Sequence, residues 1–389
     1  MTLECINILE FINIVVVFIL SIFFTGILIP QILLISFRRN LFDEPDERKI
    51  HRGVVPRLGG FAFVPVICFS IMLLFGINYL AYDDIMRLMG YDVAGNNIML
   101  EQAGRYILPL VFGFCSLLML YLIGIADDLI GIRYRAKFIV QILCSVLMIV
   151  GGVWIDNLYG VLGIYALPKV VGYPLTILVI VFFINAINLI DGIDGLASGL
   201  SSVALFIYGI FFAVEGNYIY SMIAFSTLGV LVPFFYYNVF GNAERHRKIF
   251  MGDTGSLTIG MIICILSIEL LDYGQIAKVP NRIFAMAFSP MIIPCFDVVR
   301  VFFTRLRHHR NPFMPDKNHI HHRLLALGMP QWAALITILV LSMAYTGFNI
   351  MLSPYMDLTL LMMLDIAIWI AASLIIHRML QSKNIESKK

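Results

Sequence analysis

Gly172-Tyr-Pro-Leu-Thr-Ile-Leu-Val-Ile-Val-Phe-Phe-Ile-Asn-Ala-Ile-Asn188-Leu-Ile-Asp191-Gly-Ile-Asp194-Gly-Leu-Ala carries the pattern on which the whole chain is built. An apolar run ends in an asparagine and two aspartates, and a second apolar run begins at once. A membrane-crossing helix needs about 20 apolar residues. Carboxylates beside a bilayer are expensive and are functional candidates for that reason. Asn188, Asp191 and Asp194 are three apart, which puts them on one face of a helix or turn. Without a cation or a donor-rich ligand between them the carboxylates repel one another. The alternative is a plain glycine-rich turn.

Working outward, the 389 residues are 60% hydrophobic and 13% charged, where a soluble domain carries about 25% charged residues. The fold class is therefore all-α, a polytopic membrane helix bundle. Spans are expected near 11–37, 60–81, 105–126, 136–155, 172–188, 197–214, 218–238, 255–272, 282–304, 331–352 and 356–379, about eleven in all. The first run is too long for a signal-peptide core and follows Glu4 and Glu10 rather than basic residues, so it is read as a retained helix. One membrane domain covers 1–380, and 381–389 is a polar tail. The six cysteines form no CxxC pair and read as small buried hydrophobes.

Charge sets the orientation. Segments 38–59, 127–137, 189–196, 239–254, 300–330 and 377–389 fall on one side and hold 22 of the 27 Lys and Arg. The positive-inside rule makes that side cytoplasmic, with the amino terminus outside and the carboxyl terminus inside. Every polar cluster then faces the cytoplasm, which is the expectation for a single shared site. The outer loop 82–104 shows no assignable constellation.

The other clusters are Asp127-Asp128, Met251-Gly-Asp253-Thr254-Gly-Ser256 and His319-Ile-His321-His322-Arg323. Neighbouring helical residues point about 100° apart, so one member of the Asp pair can face a ligand and the other a neighbouring helix. The pair can equally end a helix beside Arg133 and Arg135. Thr254 or Ser256 is expected to cap the next span, with an anion at its amino end and Asp253 as a metal ligand; a simple N-cap aspartate is the alternative. The three histidines lack zinc spacing and suit sugar hydroxyls, an amide carbonyl or a diphosphate; the alternative is a basic loop on anionic headgroups. Lys137 opens a span facing the Asp pair and can neutralise a phosphate. The segment His51-Arg52 to Arg57-Leu-Gly-Gly60 is basic, and ordinary charge flanking is the favoured account of it.

These motifs, in this order, resemble the polyprenyl-phosphate N-acetylhexosamine-1-phosphate transferases. More distantly they are similar to the phospho-N-acetylmuramoyl-pentapeptide transferase of peptidoglycan synthesis. The resemblance covers nearly the whole chain. It implies Mg2+ or Mn2+ on Asp253, with Asp128 close by, and catalytic roles for Asp127, Asp128 and Asp253. It implies nucleotide contacts from Asn188, Asp191 and Asp194, with Asp194 near the uracil and Phe250 stacking on it. Asn238 matches a ligand asparagine less closely, because extra residues separate it from Phe250. His319, His321, His322 and Arg323, in the form H-I-H-H-R, resemble the branch that uses UDP-GlcNAc. The implied partners are a UDP-N-acetylhexosamine, undecaprenyl phosphate, the bilayer of a bacterial inner membrane and a second copy of the chain as a homodimer, with no nucleic acid. The implied reaction forms undecaprenyl diphospho-sugar and UMP. Direct attack by the lipid phosphate, with Asp127 orienting or deprotonating it, ranks above a route through an aspartyl-phosphate. A phospho-MurNAc-pentapeptide substrate is the alternative within the family. A cation-coupled transporter is the alternative outside it, but a transporter places its ionisable groups at midplane on repeated, broken helices.

Overall fold

The computed structural model describes residues 3–41, 54–88, 98–274, 280–309 and 318–386. It is 82% helical. The described residues contain no strand, only an isolated antiparallel bridge between Asn157 and Ala166. Among them, ten helices are long and apolar enough to cross a membrane. The expected fourth span is α5 (Tyr134–Val150), 17 residues long, at the lower limit of roughly 17–25 residues for a crossing. The remaining spans fall where apolar runs lie in the sequence, and His51 and Arg52 lie outside the described residues.

The centre of the bundle is α9 (Gly252–Gly274), whose most apolar window is 94% buried. It packs against α4 (Ile107–Ile130), α6 (Lys169–Ile190) and α7 (Leu196–Val214). The approach of α4 is possible because Gly124 lies against the first turn of α9: a Cβ there would be 2.5 Å from Thr254 Cα. On another flank, α1 (Leu3–Arg38) pairs along its length with α8 (Tyr218–Val239) and contacts α2 (Phe63–Leu88). The 82–104 segment contributes the short helix α3 (Ile98–Arg105). Gln102 donates to Gly216 O at 2.6 Å and accepts from Tyr218 N, tying α3 to the α7–α8 turn.

The ninth expected span is broken into α10 (Pro280–Phe288) and α11 (Ile292–Arg307) by a 3-10 turn at Ser289–Met291. Pro290 cannot donate a backbone hydrogen bond. Near the break, Ala287 O accepts from Tyr208 Oη at 2.6 Å and Ser267 Oγ at 2.7 Å, so this carbonyl is satisfied within the apolar layer. A short helix, α12 (Ile320–Ala326), then leads into α13 (Gln331–Leu352) and α14 (Leu358–Glu386). The carboxyl ends of α1, α4, α6, α8 and α11 and the amino ends of α5, α7 and α9 meet at one end of the bundle, and that end carries the site.

Candidate active site

The site is assembled around the first turn of α9. Its cap comes from another helix: Asp128 Oδ1 accepts from Asp253 N at 2.8 Å, and Oδ2 accepts from Thr254 N at 2.9 Å and Thr254 Oγ1 at 2.6 Å. A carboxylate at a helix amino end satisfies orphan N–H groups and meets the favourable end of the dipole. Self-capping by Thr254 or Ser256 is thereby corrected. Thr254 is a donor to Asp128, and Ser256 Oγ donates back to Gly252 O at 3.0 Å. Both oxygens of Asp128 accept from α9, so the geometry gives it the task of holding Asp253 in place.

Asp127 points elsewhere. It accepts from Ile132 N and from Lys137 Nζ, the latter at 2.8 Å, and the same ammonium lies 2.9 Å from Asp253 Oδ2. The other oxygen of Asp253 accepts from Asn188 Nδ2, which also reaches Ser256 Oγ at 2.8 Å. Asp127, Lys137, Asn188 and Asp253, from four different helices, thus form one hydrogen-bonded cluster.

The Asp191–Asp194 turn forms the next wall. Asp191 is exposed, with its carboxyl crowded by the surrounding site. Desolvation by that crowding, followed by the Asp253 and Asp194 carboxylates, raises its pKa to about 7, while Arg57 pulls it down. Asp194, expected near a base, makes an ion pair with Lys248 Nζ at 2.6 Å. Asn238 departs further from expectation. Its Oδ1 accepts from Gly195 N at 2.6 Å and its Nδ2 donates to Ile249 O at 2.9 Å, with the side chain buried. Each end of its amide is engaged in tying two loops together. The backbone of Phe250 pairs with Pro56 O and Gly59 N, both at 2.9 Å, which brings Arg57 to the site.

The histidine loop closes over this turn. His321 is fully buried, and neither ring nitrogen has a hydrogen-bond partner. A Cβ on Gly192 would sit 2.1 Å from His321 Nε2, so only glycine permits this approach. Desolvation, then His322 and His319, lower the pKa of His321 to about 3. His319 Nδ1 lies 2.8 Å from Asp297 Oδ2, and Asp297 Oδ1 accepts from Ile320 N at 2.9 Å and Arg300 at 2.7 Å. The His319 ring stacks nearly parallel to His321, and His322 packs on His321 with ring centroids 4.1 Å apart. Arg323 points away from the site: its guanidinium donates to Ser373 O on α14 at 3.1 Å, where a diphosphate contact was expected.

Sequence reading therefore missed Lys248, Asp297, Arg300 and the proximity of Arg57. Asp297 and Arg300 offered one signal, an acid and a base three apart within an otherwise apolar span. As to a metal, no three His, Cys, Asp or Glu side chains converge with ligand spacing among the described residues. The donor chemistry nevertheless suits a hard cation. Asp127 and Asp253 already share one positive charge, and Mg2+ takes one or two carboxylates and completes its shell with water and phosphate oxygens.

Fold and site define a multi-pass membrane enzyme with a carboxylate-lined site at one rim of its bundle. The family model for glycosyl transferase family 4 matches residues 110–271 of this chain. That stretch contains Asp127, Asp128, Lys137, Asn188, Asp191, Asp194 and Asp253 and stops short of Asp297 and the histidines. The chain is 29% identical to a probable undecaprenyl-phosphate N-acetylglucosaminyl 1-phosphate transferase of Bacillus subtilis (strain 168), over 86% of this chain and 84% of the relative. It is also 29% identical to the undecaprenyl-phosphate alpha-N-acetylglucosaminyl 1-phosphate transferase of Salmonella typhi, over 85% and 82% of the two chains. The enzyme of the same name in Escherichia coli (strain K12) is 29% identical over 77% and 72%.

Proposed function

We propose that this protein transfers N-acetylglucosamine-1-phosphate from UDP-GlcNAc to undecaprenyl phosphate and releases UMP, at the cytoplasmic face of a bacterial inner membrane. The observation that carries the reading is the Asp127–Lys137–Asp253–Asn188 cluster. It joins cation-binding oxygens to an ammonium at one end of the bundle, and the neighbouring Asp191–Asp194 turn packs on the buried His321 ring through Gly192. The names of the relatives and the excess of basic residues on the same loops support it. The ionisable groups lie at helix ends, away from the midplane, which disfavours a transporter.

In the reaction an oxygen of the lipid phosphate forms a bond to the β-phosphorus of UDP-GlcNAc. The bond from that phosphorus to the bridging oxygen breaks, and the electron pair leaves with UMP. A phosphate monoester has its second pKa near 6, so the nucleophile is largely a dianion and needs alignment more than a strong base. Asp253 and Asp127 would hold Mg2+, which supplies charge neutralisation between two phosphates when bound. Asp128 fixes the backbone that carries Asp253, and Asn188 fixes its carboxylate rotamer. Lys137, whose ammonium lies between Asp127 and Asp253, would also meet phosphate oxygens. Asp127 orients the acceptor phosphate. Asp191 and Asp194 line the nucleotide side with Phe250, and His321 and His322 face the amido sugar.

The test is incubation of purified protein with undecaprenyl phosphate, Mg2+ and a panel of UDP-sugars, with the lipid product identified by mass. A product carrying phospho-N-acetylhexosamine from UDP-GlcNAc is expected. Product only from a UDP-MurNAc-pentapeptide would move the protein to the muramoyl branch, and no product from any UDP-sugar would sink the reading.

A further inference from the structure

A second recess lies on the same rim, away from the carboxylates. It is a groove of about 860 Å³ between the carboxyl ends of α1 and α8. Its walls are Leu33, Leu34 and Phe37 from α1 and Tyr236 and Phe240 from the end of α8. Three of these are strongly exposed, Leu34 at 47%, Tyr236 at 61% and Phe240 at 69%, on helices that cross the bilayer. The groove therefore opens sideways toward lipid. Its polar end is made by Arg38, Arg245, His246 and Arg247.

Arg38, Arg245 and Arg247 make no ion pair with another described residue, and the loop between Gly241 and Lys248 carries a single acid, Glu244. The loop is also built at a cost. His246 has φ +55°, a left-handed conformation that a side chain bearing a Cβ rarely adopts. It is held by packing of its ring on Phe37, centroids 4.1 Å apart. Such strain concentrates where a ligand is clamped. Phe37 and His246 join the two walls, with the guanidinium groups clustered around them.

We propose that this groove is a binding site for an anionic glycerophospholipid of the surrounding bilayer. The phosphodiester would lie among Arg38, Arg245 and Arg247, and the first acyl carbons along Leu34, Tyr236 and Phe240. Arginine forks match phosphate oxygens, and a basic group at an anionic membrane surface is worth about 1 kcal/mol. None of the lining residues belongs to the Asp127–Lys137–Asp253 cluster. The adjacent Lys248 is already committed to Asp194 at 2.6 Å. A resident bilayer lipid therefore fits the groove better than the polyprenyl acceptor does.

The experiment is native mass spectrometry of the full chain in non-ionic detergent, titrated with palmitoyl-oleoyl phosphatidylglycerol and, separately, phosphatidylcholine. Preference for phosphatidylglycerol by about tenfold or more is expected from two to three basic contacts. The double variant R245Q/R247Q should abolish the preference, and R38Q, made separately in case the double variant fails to fold, should reduce it severalfold. Equal retention of both lipids by the parent protein, a preference that survives R245Q/R247Q, or one that R38Q leaves unchanged overturns the proposal. Displacement of phosphatidylglycerol by equimolar undecaprenyl phosphate would make the groove an acceptor site, and displacement by millimolar inorganic phosphate would make it a free-anion site. Either result also overturns the proposal. The readout needs no turnover, so it stands apart from the transferase assay.

Discussion

The carboxylate of Asp128 holds the amino end of α9 through the backbone N–H and the hydroxyl of Thr254, at 2.9 and 2.6 Å. This one contact joins two helices 126 residues apart in sequence and sets where Asp253 projects. The aspartate pair therefore divides its labour. Asp128 faces the protein, and Asp127 faces the recess with Lys137.

Replacing Asp128 by Asn removes the charge from that cap. Loss of a helix cap costs on the order of 1 kcal/mol, and the displacement of Asp253 should lower turnover further. A reduced Tm and a turnover that high Mg2+ does not restore are expected. Restoration of the rate at raised Mg2+ would show that Asp128 is a metal ligand after all.

Asp253→Asn should behave differently. The fold should persist, because the Asp128 cap uses the backbone of residue 253, which the substitution leaves in place. Turnover should fall by about a hundredfold or more, the scale for losing one group that stabilises transition-state charge. Near-normal turnover at low Mg2+ would remove Asp253 from the reaction.

Asn238→Ala should destabilise without changing ligand affinity. The substitution strands Gly195 N and Ile249 O in a buried place, and each stranded polar group costs about 1–3 kcal/mol. Calorimetry on the folded fraction should give the parental UMP affinity. A weakened UMP affinity with an unchanged Tm would return Asn238 to the nucleotide.

His321 should act as a neutral imidazole. Its pKa is held near 3 by burial and by His322 and His319, below the ordinary value near 6.5. The unfolded chain therefore binds the extra proton first. The stabilising contribution is complete above about pH 6.5 and is lost as pH falls from there toward 3. The ring carbon resonances of His321 should not titrate between pH 5 and 8. His321→Ala should weaken UDP-GlcNAc use about tenfold, a neutral hydrogen bond being worth roughly 1 kcal/mol, while UMP affinity changes little. Equal losses for both ligands would move the ring to the nucleotide or to the fold.

Gly192→Ala tests the contact itself. A methyl group 2.1 Å from His321 Nε2 forces the ring or the turn to move. Activity should fall as far as in His321→Ala, and the two changes together should cost little more than either alone, as expected of coupled neighbours. Additive losses would separate the turn from the histidine loop.

By itself the sequence determined the membrane bundle, the approximate span positions and the candidates Asp127, Lys137, Asn188 and Asp253 that the fold brings together. Apolar run length against bilayer thickness is a one-dimensional quantity, and a carboxylate such as Asp191 stands out against an apolar background. The local pattern also showed that Asp127 and Asp128 must diverge, because helical periodicity alone requires it. Which of the two turns inward depends on the packing of α4 against α9 through Gly124, and so only the tertiary structure decided that Asp128 is the cap and Asp127 the recess-facing group. The same holds for Asn238, whose amide bonds Gly195 and Ile249 from separate loops, and for Arg323, which is drawn to Ser373 on the last helix. Lys248 was hidden because a lone base on a basic loop shows nothing until Asp194 arrives beside it, and the Asp297–Arg300 pair showed a polar spot in a span without showing that His319 packs on it. Hydrogen-bond partners that are distant along the chain are selected by helix packing, and no local pattern records that selection.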